Sequence, residues 1–214
     1  MFEPRRQRPS AKPKGDIRER ILEEASRQFG DRGFGTPIER IATAVGIRKS
    51  SLLYHFGSKE GLREQVVTRM MLRWQAEIPL LLTRAETGED RFTTVITAVI
   101  DFFAADPSRA RLCVREAMDR PEHYGETTRH HLRPHLKLIT DYIRWGQSGS
   151  VIHGDVDPEI WVIIVLREII CMVAFAPVAQ AMTGSTADDL TRRQRDEFVR
   201  IARRSLLRSA DPQS

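Results

Sequence analysis

Apolar residues recur three or four positions apart along nearly the whole chain, the period of helices that each bury one face, and no stretch alternates as a strand would. Ile17, Ile21, Leu22, Ala25 and Phe29 form the first stripe, opened by Asp16 and Glu19 at capping-box spacing and closed by Gly30, Gly33 and Gly35. Thr36-Pro37-Ile38-Glu39 starts a short second helix: threonine to cap, proline at the first helical position, glutamate to reach back. Gly46 stops that helix, and a third runs from about Arg48 to Phe56. Two short helices across a glycine turn make a helix-turn-helix. Ala42, Val45, Ile47, Leu52 and Phe56 have the spacing to pack it, which leaves Lys49, Ser50, Leu53 and Tyr54 facing outward.

Ser58 caps a long fourth helix whose stripe is Leu62, Val66, Met70, Trp74, Ile78 and Leu81. A loop at Thr87-Gly88 follows. Further helices span about Arg91–Ala105, Ser108–Met118 and Thr127–Gly146, with a loop over Asp119–Gly125 and a bend at Pro134. The glycine-rich GQSGSVIHGDVDP is extended, an eighth helix covers Pro158–Met182, and Thr186-Ala187-Asp188-Asp189 caps a ninth ending near Ser209. The expectation is an all-α chain of nine helices without internal repeats. A disordered basic arm occupies residues 1–15, a helix-turn-helix domain 16–62 and a second helical domain 63–210.

Composition narrows the class. Arg167 and Glu168 interrupt IWVIIVLREIICMVAFAP, the nearest approach to a bilayer span, and MFEPRRQRPSAKPKG lacks the apolar segment of a secretory signal. Cys113 and Cys171 lie far apart in apolar surroundings with neither disulfide nor zinc spacing, so buried, inert thiols in a reducing cytoplasm are expected. Charge is unevenly placed. Residues 1–60 hold 13 Lys+Arg against 8 Asp+Glu, whereas the remaining 154 residues hold 21 of each. All the excess positive charge therefore sits at the N-terminal end, which suggests a polyanion partner for that part only, with a solvated basic tail of Arg5, Arg6, Arg8, Lys12 and Lys14 as the alternative.

TPIERIATAVGIRKSSLLYHFGSKEGL resembles the tetracycline-repressor (TetR) family of bacterial transcription regulators, and the likeness runs from Arg18 to about Val66. The family pattern appears as Thr36, Ile41-Ala42, Gly46, Tyr54-His55-Phe56 and Ser58-Lys59-Glu60. The resemblance implies that Thr36, Lys49, Tyr54, His55 and Lys59 contact double-stranded DNA. A helix start, a hydroxyl, a ring N–H and ammonium groups all suit phosphate, and such contacts set register. Base reading falls to Arg48, Lys49, Ser50 and Ser51 at the N-terminal end of the recognition helix. Two departures stand out. Arg48 replaces a capping serine, a loss of about 1 kcal/mol of cap energy, and Leu53 replaces a common aromatic.

The resemblance further implies a homodimer on a palindromic operator, paired through the eighth and ninth helices, and release by a small-molecule effector. Met70, Trp74, Phe103, Tyr142 and Trp145 are the candidate walls of an apolar or aromatic ligand's pocket, with Arg115 as polar anchor; a solid core of the same residues is the alternative. No cofactor or metal is expected. His131 and His135 stand four apart beside His130 without a Cys or acidic ligand close by, and no nucleophile-elbow, zinc-protease or phosphate-loop motif appears. The rival readings are a small all-α enzyme and a non-specific DNA-binding structural protein.

Overall fold

The computed structural model describes residues 14–85 and 91–208. Among them are ten helices: α1 Lys14–Arg32, α2 Ile38–Ala44, α3 Lys49–Phe56, α4 Lys59–Ala85, α5 Arg91–Ala104, α6 Pro107–Asp119, α7 Pro121–Ser148, α8 Pro158–Ala174, α9 Ala176–Thr183 and α10 Ala187–Leu206. Residues 1–13 of the expected arm and the loop at Thr87-Gly88 lie outside the described residues.

The all-α expectation holds, with ten helices in place of nine. The predicted eighth helix breaks at Phe175, and its two parts, α8 and α9, meet at 64°. Pro177 is the cause: it has no N–H to give residue 173 and its ring crowds that carbonyl. Among the described residues no single helix is long and apolar enough to cross a membrane. Two further boundaries move. Helix α1 begins before Asp16, so no capping box opens there, and Glu19 instead bonds the Nε of Arg69 at 2.8 Å. Helix α7 starts at Pro121, which occupies the first turn where the missing N–H costs nothing, so the expected loop is mostly helix.

Other starts follow the sequence closely. Asp106 caps α6 by accepting from the Ser108 amide at 3.2 Å, Asp157 caps α8 from Glu159 and Ile160, and Thr186 caps α10 from Asp189 at 3.3 Å. The stretch before α8, expected to be extended, is mostly turns, with residues 146–148 still in α7 and Ile152 paired with Leu207 in an isolated antiparallel bridge.

One hydrophobic cluster runs from Ile21 in α1 through α2, α3 and α4 to Phe103, Leu112 and Ile169. It crosses the expected domain boundary near residue 62 without interruption. The tightest join is between α1 and α6. A β-carbon on Gly30 would lie 2.3 Å from the Ser108 carbonyl oxygen, so only glycine lets these backbones meet. Cys113 is buried beside the Met70 sulfur, and burial pushes its thiol up to about 12. Cys171 is only half-buried, in contrast to the expectation.

Candidate nucleic-acid interface

Local sequence builds the reading head. Helix α2 ends with the Ile47 amide donating to the Ala42 carbonyl at 2.9 Å and the Gly46 amide to Thr43 at 3.1 Å, the paired bonds of a Schellman stop. Gly46 sits at φ +76°, which glycine adopts without a steric penalty. Arg48 then stands extended at the start of α3 and gives no side-chain cap, leaving the helix held by Leu52 and Phe56 against the core. Gly57 ends α3 at φ +72°, and Ser58 caps α4 by accepting from the Gly61 amide at 2.9 Å.

That packing turns one face of α3 to solvent. Arg48, Lys49, Ser50 and Ser51 are exposed at its N-terminal end, and Tyr54 is 87% exposed one turn later. The Tyr54 ring meets His55 edge-on at 5.7 Å, with His55 half-buried. Lys59 is half-buried at the first position of α4, and neither it nor Arg48 has a carboxylate within 4.0 Å among the described residues. The face is a row of donors whose apolar surface is the Tyr54 ring, with Leu53 turned partly inward onto the core.

Thr36 leaves this set. The second helix is capped by Pro37 rather than Thr36, without a side-chain bond. The Thr36 side chain is buried, and its hydroxyl donates to the Gly33 carbonyl at 2.8 Å, so it tightens the loop and has no donor for phosphate.

Glu39 is the residue that sequence reasoning passed over. Read as a capping partner, it points instead across to α3 and holds the Lys49 ammonium at 2.6 Å. The Lys49 hydrogen bond holds its carboxyl below the ordinary carboxylate range. Its place in the exposed first turn of the helix preceding α3 was the available signal. A phosphate must compete with this carboxylate for Lys49. Glu39→Gln is therefore expected to tighten DNA binding at low salt, with the gain shrinking as salt rises; fluorescence anisotropy over a salt series measures it.

The expected ligand pocket is not formed as drawn. Met70, Trp74 and Phe103 are buried together, with Trp74 4.8 Å from Phe103 and 5.3 Å from Phe102, ring centre to ring centre. The void beside Trp74 and Phe102 is only about 10 Å³, room for roughly one water. Tyr142 and Trp145 face the other way. They are 49% and 71% exposed and tilt against each other on the outside of α7, because Ile143 and Gly146 take its inner side. Arg115 serves the first helix, its Nε donating at 3.1 Å to the Gly30 carbonyl in the last turn of α1. Among the described residues no group of three His, Cys, Asp or Glu is placed to hold a metal.

This geometry has known counterparts. Residues 21–66 match the sequence pattern of bacterial regulatory proteins, tetR family. The HTH-type transcriptional regulator RutR of Escherichia coli is 29% identical over 177 residues, 79% of each chain. RaaS, an HTH-type transcriptional regulatory protein of Mycobacterium tuberculosis, is 51% identical over 45 residues, 21% of each chain. In fold, the chain is similar to a transcriptional regulator, SCO4942, from Streptomyces coelicolor, with a TM-score of 0.67 at 20% identity over 90% of this chain and 99% of that one. Head and turn carry the sequence pattern of bacterial regulatory proteins of the tetR family, and the relatives that share it are transcriptional regulators.

Proposed function

We propose that the chain binds a palindromic operator as a homodimer, represses transcription there, and is released by a small molecule. The outward face of α3 carries the reading: Arg48, Lys49, Ser50 and Ser51 toward bases, Tyr54, His55 and Lys59 toward backbone. Residues 16–62 supply these contacts and residues 63–210 the pairing surface. That surface is α8, where Ile160, Ile163 and Ile164 stand half out of water, together with Ile201 of α10. Trp161 of α8 donates its ring N–H to Ser205 of α10 at 2.9 Å, a bond that ties the two helices together at that point. Two-fold pairing there sets two α3 helices toward successive major grooves, about 34–36 Å apart.

The test is duplex binding over a salt series. Affinity is expected to fall steeply with salt as counterions are lost to bulk. Lys59→Ala should weaken operator and random duplex alike, whereas Lys49→Ala should also relax base preference. Salt-insensitive binding, or Lys49→Ala and Lys59→Ala variants that bind every duplex as the parent does, would remove α3 as the reading element. Equal affinity of the parent for operator and random duplex favours the non-specific reading.

A further inference from the structure

A cavity of about 500 Å³ lies between α1, the end of α2, α4 and the turn joining α5 to α6. It shares Met70 and Phe102 with the aromatic core of the second domain. Its floor is apolar, made by the buried side chains of Val45, Val66, Met70 and Phe102. Its walls carry five guanidinium groups, from Arg20, Arg27, Arg69, Arg73 and Arg109, and three carboxylates, from Glu23, Glu24 and Asp106.

The pairing among these groups decides what the cavity can take. Arg27 is held by Glu24, and Arg69 and Arg73 by Glu19 and Glu23. Arg20 has no carboxylate within 4.0 Å among the described residues and donates to the Val45 carbonyl at 3.1 Å. Arg109 donates to the Phe102 carbonyl at 2.8 Å and stacks on the Phe102 ring. Asp106 pairs with Arg109 through Oδ2 at 3.4 Å from Nε, while Oδ1 of the same carboxylate accepts from the amide and hydroxyl of Ser108. The five guanidinium groups thus face four carboxylates, Glu19 included, which leaves Arg20 without an acidic partner, and the Arg109 side chain is only 18% exposed over an apolar floor. Such charge is costly to hold without a counter-ion. Guanidinium forks match carboxylates in shape, and the volume is that of a small-molecule site, about 300–1,000 Å³.

We propose that this cleft binds a small organic carboxylate with an apolar body. Arg20 and Arg109 hold its head, and Val66, Met70 and Phe102 receive its body. Occupation reaches the reading head through Arg20. The Val45 carbonyl it grips belongs to the residue before Gly46, the turn that aims α3, so a carboxylate that draws Arg20 into the cleft loosens that turn. This regulatory half rests on the DNA-binding reading above; carboxylate binding does not.

Calorimetric titration of the full chain with 2-naphthoate, beside its uncharged amide 2-naphthamide, tests the site. Saturable binding of one naphthoate per chain is expected, at least about tenfold tighter than the amide. Arg109→Gln and Arg20→Gln should each weaken naphthoate by about tenfold, roughly 1.4 kcal/mol, and leave the amide unchanged. Melting curves identify any variant that fails to fold, and Arg20→Gln, which frees one carbonyl at an exposed turn, keeps the test open if Arg109→Gln does. Equal binding of acid and amide, no saturable binding at millimolar naphthoate, or folded variants that bind as the parent does would overturn the site. With duplex present, naphthoate is expected to change DNA affinity in the parent and not in Arg20→Gln. An unchanged DNA affinity in the parent, with naphthoate bound, overturns the regulatory half alone. A parent that binds no duplex sinks the DNA reading and leaves the acid–amide comparison standing.

Discussion

Replacing Ile160 and Ile164 together with glutamate is expected to give a folded monomer that has lost operator affinity by about 10²–10⁴-fold. Both side chains lie on the outer face of α8, at 52% and 42% exposure, one helical turn apart. The inner face of α8, with Val162, Ile169 and Val173, is buried within the chain and is untouched. Helix content and melting temperature should therefore stay near those of the parent. In a dimer the second head binds its half-site at the high local concentration set by the first, and separation removes that gain without altering a single DNA contact. Sedimentation velocity reads the assembly state and anisotropy the affinity. A double variant that still sediments as a dimer, or a monomer with undiminished operator affinity, would show that pairing lies elsewhere.

The second large effect is on stability. Arg63→Ala should destabilise the chain by about 3–5 kcal/mol, the usual result of removing one member of a buried ion pair. Arg63 is 11% exposed and donates from Nε to Glu116 at 2.7 Å, while its guanidinium lies 3.5 Å from the centre of the Phe34 ring. Glu116 has no exposed surface, and its second carboxylate oxygen has no hydrogen-bond partner. Taking Arg63 away leaves a charge inside the protein with nothing to balance it. Changing both residues removes that charge, so Arg63→Ala with Glu116→Leu should recover much of the loss. Urea denaturation of the parent, both single variants and the double completes the cycle. A loss under about 0.5 kcal/mol for Arg63→Ala would place the pair among those with little net effect.

What the sequence made legible was local. The Gly46 stop, the Ser58 cap and the Thr186 cap depend on residues within five positions of one another, so their chemistry can be read from the chain directly. Thr36 failed at the same range because α2 starts one residue later, with Pro37 at the cap position, and the Thr36 hydroxyl turns to the Gly33 carbonyl. Side-chain direction was harder. Tyr142 and Trp145 have the same helical spacing as a core stripe, and only the neighbours of α7 decide that Ile143 goes in and they go out. Arg63 and Arg115 find partners 53 and 85 residues away, and nothing near them in the chain announces those partners. Pro177 was legible and was hidden by the apolar run on both sides of it.

Gly30 sets a limit on how this protein could be rebuilt. Reading heads look like exchangeable parts, because the helix-turn-helix is short and its contacts lie on one exposed helix. Here the first helix of that head also bears directly on α6, backbone against backbone, at a place with no room for a methyl group. A head transplanted from a relative with alanine at that place would lift α6 off its seat and open the shared interior behind Ile21 and Phe29. Grafts that change operator preference should therefore join after α1, exchanging α2 and α3 alone and leaving the native helix beneath them.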